Sequence, residues 1–395
     1  MKTNWRLPRG VDELLPPAAW ELEQLRRAVL DLFVSWGYEY VEPPIIEYLD
    51  ALLVGSGEDL DLQTLKVVDQ VTGRQLGVRA DMTSQAVRID AHSLQREGIQ
   101  RLCYAGPVVF ANPQATEPSR VPIKAGVEIF GERSIAADAE VVNLMIAAVR
   151  QARVQNPVLL LGHMGIYLGI REQLQLDEQQ ASSLFACVQR KSQADIAELL
   201  GDGPAAQMMT SLPMLMGGVD IIDQARKQLA DAGPAVSTAL DELAELVGCI
   251  QQYDADLDIR IDVAELSGYG YHTGPVFAVY HPEHGSALAQ GGRYDGIGAE
   301  FGRGRPATGF DMKLKALLNT TGVGTNKAFA PYLAGDDGQH GDTLVTHVAQ
   351  LRAAGWAVVR ALSAAEEPGP DITHRLIQVD DQWQVASLGE GSTDA

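Results

Sequence analysis

Cations, cysteines and long apolar runs are all scarce in this sequence, and each scarcity closes off a class of function. Lys and Arg number 31 against 52 Asp and Glu, a formal net charge of −21. Phosphate contacts dominate the affinity of proteins for nucleic acid, so a nucleic-acid reader normally displays a basic face. The acidic balance speaks against one, although a local basic patch remains compatible with it. Cys103, Cys187 and Cys249 are odd in number, far apart and without metal-ligand spacing. Reduced thiols in a cytoplasmic protein are therefore expected rather than disulfides or a zinc site. No run approaches 18 apolar residues, and the polar amino terminus has no apolar h-region, which argues against a membrane span and against secretion. Repeats and low-complexity segments are lacking too. What is present, 395 residues of ordinary soluble composition, suffices for one large core and a smaller unit.

Pro16-Pro17 suits the first turn of a helix, and Leu22, Leu25, Val29, Leu32 and Trp36 follow at steps of three or four before Gly37. Residues 38–46 predict a strand containing Pro43-Pro44. Proline cannot donate into a ladder, so that strand belongs at a sheet edge or a subunit boundary. Further strands are predicted at 75–79, 102–109, 125–130, 158–162, 259–264, 274–280 and 286–290, with a helix over 137–152. Many run consecutively or with hairpin-length gaps, which favours an α+β fold, an antiparallel sheet flanked by helices, over a doubly wound one. Residues 177–253 turn rich in Gln, Ala, Leu and Asp at helical spacing, broken at Gly217-Gly218 and Gly233-Pro234. They read as a helical insertion within a domain covering 1–325. Met208, Met209, Met214 and Met216 in it suit an adaptable surface or, more simply, the core of a helix bundle. Residues 326–395 read as a small C-terminal α/β appendage, with a helix over 343–350 and strands at 357–360, 375–379 and 384–386. From Lys327 onward it carries four cations against ten Asp and Glu.

Several residues suit ligand binding, each with a plainer alternative. Asp81 and Thr83 follow a strand and open a helix, so they suit a ligand ammonium; helix capping by Asp81 alone is the alternative. Glu128 stands among Val127, Ile129 and Phe130, where a lone carboxylate calls for a cation such as Lys124 or Arg120. Tyr269, Tyr271 and His272 offer flat faces and polar tips for an imidazole-sized ligand, with the two tyrosines on one side of a strand. Aromatic core packing is the alternative. Gly291-Gly292-Arg293 allows close backbone approach and a bidentate guanidinium for a carboxylate; a structural turn would also account for the glycines.

The stretch Tyr104-Ala-Gly-Pro-Val-Val-Phe-Ala-Asn-Pro-Gln114, followed by Gly126-Val-Glu-Ile-Phe-Gly131, resembles motif 2 of the histidyl-tRNA synthetases. In that family an arginine there clamps the α-phosphate of ATP; the matching positions here are Val109-Phe110-Ala111-Asn112, without a cation. Leu266-Ser-Gly-Tyr-Gly-Tyr-His-Thr-Gly274 resembles the histidine-specific loop, with Ser267 in place of its arginine, Gly270 in place of its aspartate and His272 in place of a tyrosine. Gly309-Phe-Asp-Met-Lys-Leu-Lys-Ala-Leu317 resembles motif 3, with its arginine falling on Ala316. Lys313 or Lys315, expected on another helical face, is a poor substitute for a guanidinium fork. Losing one such clamp costs about 3–4 kcal/mol of transition-state stabilisation. Arg79 and Arg120 remain near the former nucleotide site without rebuilding a three-point clamp.

The resemblance covers residues 5–318 and includes Arg9-Gly-Val-Asp-Glu-Leu-Leu-Pro16, Arg79-Ala-Asp-Met-Thr83 and Gly291-Gly-Arg-Tyr-Asp-Gly296. The first and last of these strings resemble the synthetases, while the 79–83 variant and the overall match resemble the ATP phosphoribosyltransferase regulatory subunits, synthetase paralogues that serve histidine biosynthesis. The resemblance implies a class II aminoacyl-tRNA synthetase-like fold and a regulatory subunit that is not itself an enzyme and needs no cofactor or metal. It implies a short-form catalytic subunit of ATP phosphoribosyltransferase as partner, and self-association as a homodimer through the first helix and its Pro-containing strand, which resemble motif 1. No tRNA and no membrane are expected as partners. Histidine would be the effector, with its α-amino group on Asp81 and Thr83 and its imidazole or ammonium on Glu128. Arg120, Tyr269, Tyr271, His272 and Arg293 would complete the site. Lys124 stands where the synthetases have glutamine. A divergent histidyl-tRNA synthetase or an adenylating amide ligase is the alternative.

Overall fold

The computed structural model describes residues 6–54, 58–113, 119–266, 271–321, 332–334, 341–360, 372–380 and 382–388. The chain divides into two compact units, Met1–Val323 and Gly324–Ala395. The first unit opens with β1 (Glu39–Tyr40), β2 (Ile46–Tyr48), β3 (Leu65–Val68), β4 (Gln75–Val78), β5 (Gln100–Pro107) and β6 (Ile123–Phe130). It continues with β7 (Val158–His163), β8 (Met216–Gly217), β9 (Asp258–Asp262), β10 (Pro275–His281), β11 (His284–Arg293) and β12 (Ala307–Lys313). The large sheet runs β1-β5-β6-β12-β11-β10-β7-β9-β8, and β2, β4 and β3 make a smaller one. From β5 through to β7 every neighbouring pair is antiparallel, while β1 with β5 and β7 with β9 are parallel. This is the largely antiparallel sheet that short consecutive strands favour.

Residues 38–46 do not form the one strand expected of them. Pro43-Pro44 supplies no N–H, so the ladder stops after Tyr40 and resumes at Ile46 in the other sheet. β1 does take an edge place. β12 was not among the strands expected from the sequence. Its apolar residues, Phe310 and Met312, alternate with Gly309 and Asp311, too short a pattern to stand out.

α1 (Ala18–Ser35) buries Leu22, Leu25, Val29 and Phe33, while Leu32 and Trp36 are half-buried. Phe33 meets Phe310 edge-on at 5.8 Å, which fixes the helix on the sheet. The short helices α2 (Leu49–Leu52), α3 (Glu58–Gln63) and α4 (Thr83–Arg88) follow. α5 (Ile135–Gln151) packs against the sheet and buries Val142, Met145, Ile146 and Val149 among others. α6 (Met164–Arg171) leads to five helices: α7 (Glu178–Gln189), α8 (Gln193–Leu200), α9 (Pro204–Ser211), α10 (Ile221–Gln228) and α11 (Pro234–Tyr253). α7 starts at a capping box in which Asp177 and Gln180 bond each other's backbone N–H. α11 packs on α5 and α6. Of the four methionines, Met209 is core and Met208 half-buried, but Met214 and Met216 are exposed. These two lie in a tight turn and in the short strand β8, past the helix that buries the others. α12 (Ile297–Glu300) and α13 (Leu314–Thr321) close the unit.

The second unit holds β13 (Tyr332–Ala334), α14 (Gly341–Ala353), β14 (Val358–Arg360), β15 (His374–Val379) and β16 (Gln382–Ser387), in sheet order β14-β13-β15-β16. Leu344, Val358 and Leu376 form its small core. β13 was not anticipated. Among the described residues no helix is long and apolar enough to cross a membrane. Cys103, Cys187 and Cys249 are free thiols.

Candidate functional site

Pairing register assembles the site on one face of the large sheet. β6 presents Lys124, Gly126 and Glu128 at alternate positions, and β12 sets Gly309 opposite Glu128 and Asp311 opposite Gly126. β11 adds Gln290 beside Asp311 and Gly292 beside Gly309, and β5 sets Tyr104 against Gly126. Residues between these, such as Val127, Ile129, Phe310 and Met312, belong to the main core with α1 and α5. Two glycines make the hollow. A Cβ on Gly309 would lie 1.8 Å from Glu128 Oε2, and one on Gly292 would lie 2.8 Å from the His272 ring. Any larger residue at either place would push those side chains off the sheet.

Glu128 is buried and accepts from two phenols: Tyr104 Oη donates to Oε1 at 2.9 Å and Tyr294 Oη to Oε2 at 2.5 Å. Burial drives its carboxyl up to about 8; the two phenols oppose the rise and the charge of Asp81 adds to it. Burial, with the Glu128 charge, also holds both phenols well above their ordinary range, so they stay donors. The expected Lys124 or Arg120 partner for Glu128 is thus corrected. Lys124 Nζ instead bridges Asp311 Oδ2 at 2.9 Å and Asp81 Oδ1 at 3.3 Å, and all three side chains are buried or nearly so. Burial works to raise Asp81, but the Lys124 charge and the Thr83 N–H at 3.0 Å bring it below the ordinary carboxylate value. Burial leaves Asp311 raised in spite of Lys124, with the Asp81 charge adding to the effect. Thr83 Oγ1 is 3.5 Å from the Tyr104 hydroxyl.

A cavity opens between these groups, lined among others by Thr83, Glu128, Tyr271, His272, Tyr294 and Asp311. It is narrow, with about 30 Å³ of room for solvent. His272 is 7 % exposed, burial lowers its imidazole to about 4, and its Nδ1 has no partner among the described residues. The same holds for Asp311 Oδ1. Tyr271 rests against His272, ring centroids 4.7 Å apart, and edge-on to Tyr294 at 5.8 Å.

Of the residues singled out from sequence, Thr83, Glu128, Tyr271 and His272 line the cavity, and Asp81 adjoins it through Lys124. Tyr269 lies outside the described residues, as do Ser267 and Gly270. Arg293 is corrected: its guanidinium turns to Asp138, at 2.7 and 3.1 Å, and to the carbonyls of Glu132 and Ser134. Arg120 is corrected as well. It donates to the Phe110 carbonyl at 2.9 Å and the Arg9 carbonyl at 3.3 Å, tying the amino-terminal segment to the sheet. Arg79 donates to the carbonyls of Pro43 and Pro107, and Lys315 pairs with Asp12 at 2.9 Å. Lys313 is the last residue of a strand, not part of a helix. Sequence reasoning passed over Tyr104, Gln290, Tyr294 and Asp311. Tyr294 was within reach, since it sits in the Gly291–Gly296 hexapeptide; the others depend on register.

The chain is similar to known proteins over nearly its whole length. A histidyl-tRNA synthetase family model matches residues 10–317, and a model of the ATP phosphoribosyltransferase subunit HisZ C-terminal domain matches 328–386. The chain is 45 % identical over 393 residues to an ATP phosphoribosyltransferase regulatory subunit of Ectopseudomonas mendocina, covering 98 % of each chain. It is 46 % identical over 395 residues to that of Pseudomonas syringae pv. syringae, again covering 98 % of each. A crystal structure from Bacillus halodurans, described as an ATP phosphoribosyltransferase regulatory subunit/histidyl-tRNA synthetase, superposes with TM-score 0.83 at 27 % identity, over 93 % of this chain and 95 % of that one. Histidyl-tRNA synthetase from Nostoc shares the fold, with TM-score 0.80 at 17 % identity over 99 % and 96 % of the two chains.

Proposed function

The chain belongs to the family of ATP phosphoribosyltransferase regulatory subunits, and from that premise we propose that it is a non-catalytic subunit which controls a catalytic ATP phosphoribosyltransferase, in the first step of histidine biosynthesis, in response to histidine. One observation carries the effector part. The cavity keeps buried acceptors for an ammonium and an imidazole while its surroundings have lost the cations that adenylate chemistry requires. By the resemblance, Ala316 falls at the arginine of motif 3, and Val109-Phe110-Ala111-Asn112 offers no cation for that of motif 2. Arg79, Arg120 and Lys315, the cations that remain, are tied to protein carbonyls or to Asp12. Without those clamps phosphoryl-group chemistry loses most of its electrostatic stabilisation.

Histidine is larger than the present cavity, so binding would move lining side chains. Feedback then requires that histidine favour one state of the complex over the other, a coupling of typically about 1–3 kcal/mol. Self-association through α1 and the segment 38–46 suits the exposed Trp20, Tyr40, Ile45 and Ile46 there.

Two outcomes are expected. Purified protein should give no histidine-dependent ATP–pyrophosphate exchange, and it should co-purify with the catalytic phosphoribosyltransferase and make its activity sensitive to histidine. Clear exchange turnover would instead favour a synthetase or ligase. Transfer RNA is not expected to be retained in filter binding at low salt, because the acidic tail repels phosphate; sub-micromolar, specific retention of histidine tRNA would contradict this.

A further inference from the structure

Within that proposed effector site, on whose reading this step rests, we infer that the ligand is selected through its ammonium and imidazole while its carboxylate goes unread, so that the decarboxylated amine, histamine, serves as well as histidine. The charges of the cavity point this way. Its described lining holds three carboxyl groups, Glu128, Glu265 and Asp311, and neither lysine nor arginine. Lys124 is shared between Asp81 and Asp311, and Arg293 is held by Asp138 and two carbonyls. Arg79 and Arg120 are held by carbonyls. Residues 267–270 read Ser-Gly-Tyr-Gly, so that adjoining stretch brings no cation by composition. None of these cations is poised to receive a carboxylate.

One buried carboxylate oxygen points to a ligand of the opposite sign, and a neutral imidazole nitrogen beside it offers a further hydrogen bond. Asp311 Oδ1 is buried and without a partner among the described residues, although its other oxygen holds Lys124. A carboxylate oxygen is an acceptor alone, so what it lacks is a donor, and an ammonium supplies one with charge assistance. His272 Nδ1, equally buried and unpartnered, faces the same space. Glu128, flanked by two phenols, accepts an imidazole N–H or imidazolium. Gln290 is the one side-chain amide in the described lining, and its neutral amide is a weaker partner for a carboxylate than a guanidinium or an ammonium.

The test is titration calorimetry on the full-length protein with three ligands: histidine, histamine, and imidazolepropionate, which keeps the ring and the carboxylate but has no ammonium. Histamine is expected to bind within about tenfold of histidine, and imidazolepropionate at least a hundredfold more weakly. Asp311→Asn should weaken histidine and histamine by the same factor, with a thermal melt showing that it folds. If histidine binds and histamine is more than tenfold weaker, the carboxylate is read, for instance by a Lys124 that leaves Asp311. The inference then falls while the effector site stands. If none of the three binds, or if Glu128→Ala leaves histidine affinity unchanged, the effector reading falls and takes this one with it.

Discussion

Histidine affinity is expected to fall about tenfold for each pH unit below about 8, with close to one proton released per histidine bound. The cause is Glu128. Burial holds its carboxyl at about 8 in the free protein, in spite of the Tyr104 and Tyr294 hydroxyls. The neighbouring charges, Asp81 and Asp311 with Lys124 between them, do not cancel this, and His272 stays neutral. At neutral pH Glu128 therefore carries a proton, and accepting the N–H of a histidine ring that stays neutral requires that this proton first be displaced. Calorimetry in buffers of different ionisation enthalpy reads that proton directly. Glu128→Gln should abolish the release and flatten the profile; a wild type that binds with no proton release at pH 7 would show that Glu128 does not face the ligand.

The raised Glu128 carboxyl also sets a sign for stability. A carboxyl whose folded value lies above the ordinary 4.5 binds a proton in the folded state that the unfolded chain has already released. Its stabilisation is therefore complete below about 4.5 and is lost as pH rises through about 8. A tenfold difference in proton affinity between the two states is worth about 1.4 kcal/mol. On that scale Glu128→Gln should be more stable than wild type at pH 9 by roughly 2–4 kcal/mol, and much closer to it at pH 5. Thermal melts at the two pH values decide this.

What could be read ahead of the structure was local. The steps of Leu22, Leu25 and Val29, the alternation around Val127 and Ile129, and the missing N–H of Pro43-Pro44 each act over one or two turns of chain. α1, β6 and the edge place of β1 were legible for that reason, while the break before β2 was not. The site was legible in kind but not in its pairings. Glu128 called for a cation on local grounds, yet its partners are phenols 24 and 166 residues away. Lys124 finds Asp311 across 187 residues, because β12 inserts between β6 and β11. Register decides such contacts, and no local pattern encodes which strand of a nine-stranded sheet will lie beside which. Arg293 was misassigned for the same reason: its partner, Asp138, sits on α5, 155 residues back.

That misassignment carries the remaining large effect. Asp138 is fully buried and Arg293 7 % exposed, joined at 2.7 Å. Burial raises Asp138 even with the guanidinium beside it, so the pair does not fully offset its own desolvation. The expected consequence is asymmetric. Asp138→Ala leaves a buried guanidinium with two carbonyls and the more distant Asp295 carboxylate, at 3.6 Å, and should cost about 3–5 kcal/mol, as should Arg293→Ala. The double variant should cost well under the sum, a coupling that a four-corner denaturation cycle measures. Neither partner lines the cavity, so histidine affinity of the folded protein, measured at low temperature, should change by less than about threefold in Asp138→Ala and Arg293→Ala alike. A loss of tenfold or more in Arg293→Ala with Asp138→Ala unaffected would mean that the guanidinium leaves its partner to hold the ligand, and the carboxylate would have found its cation.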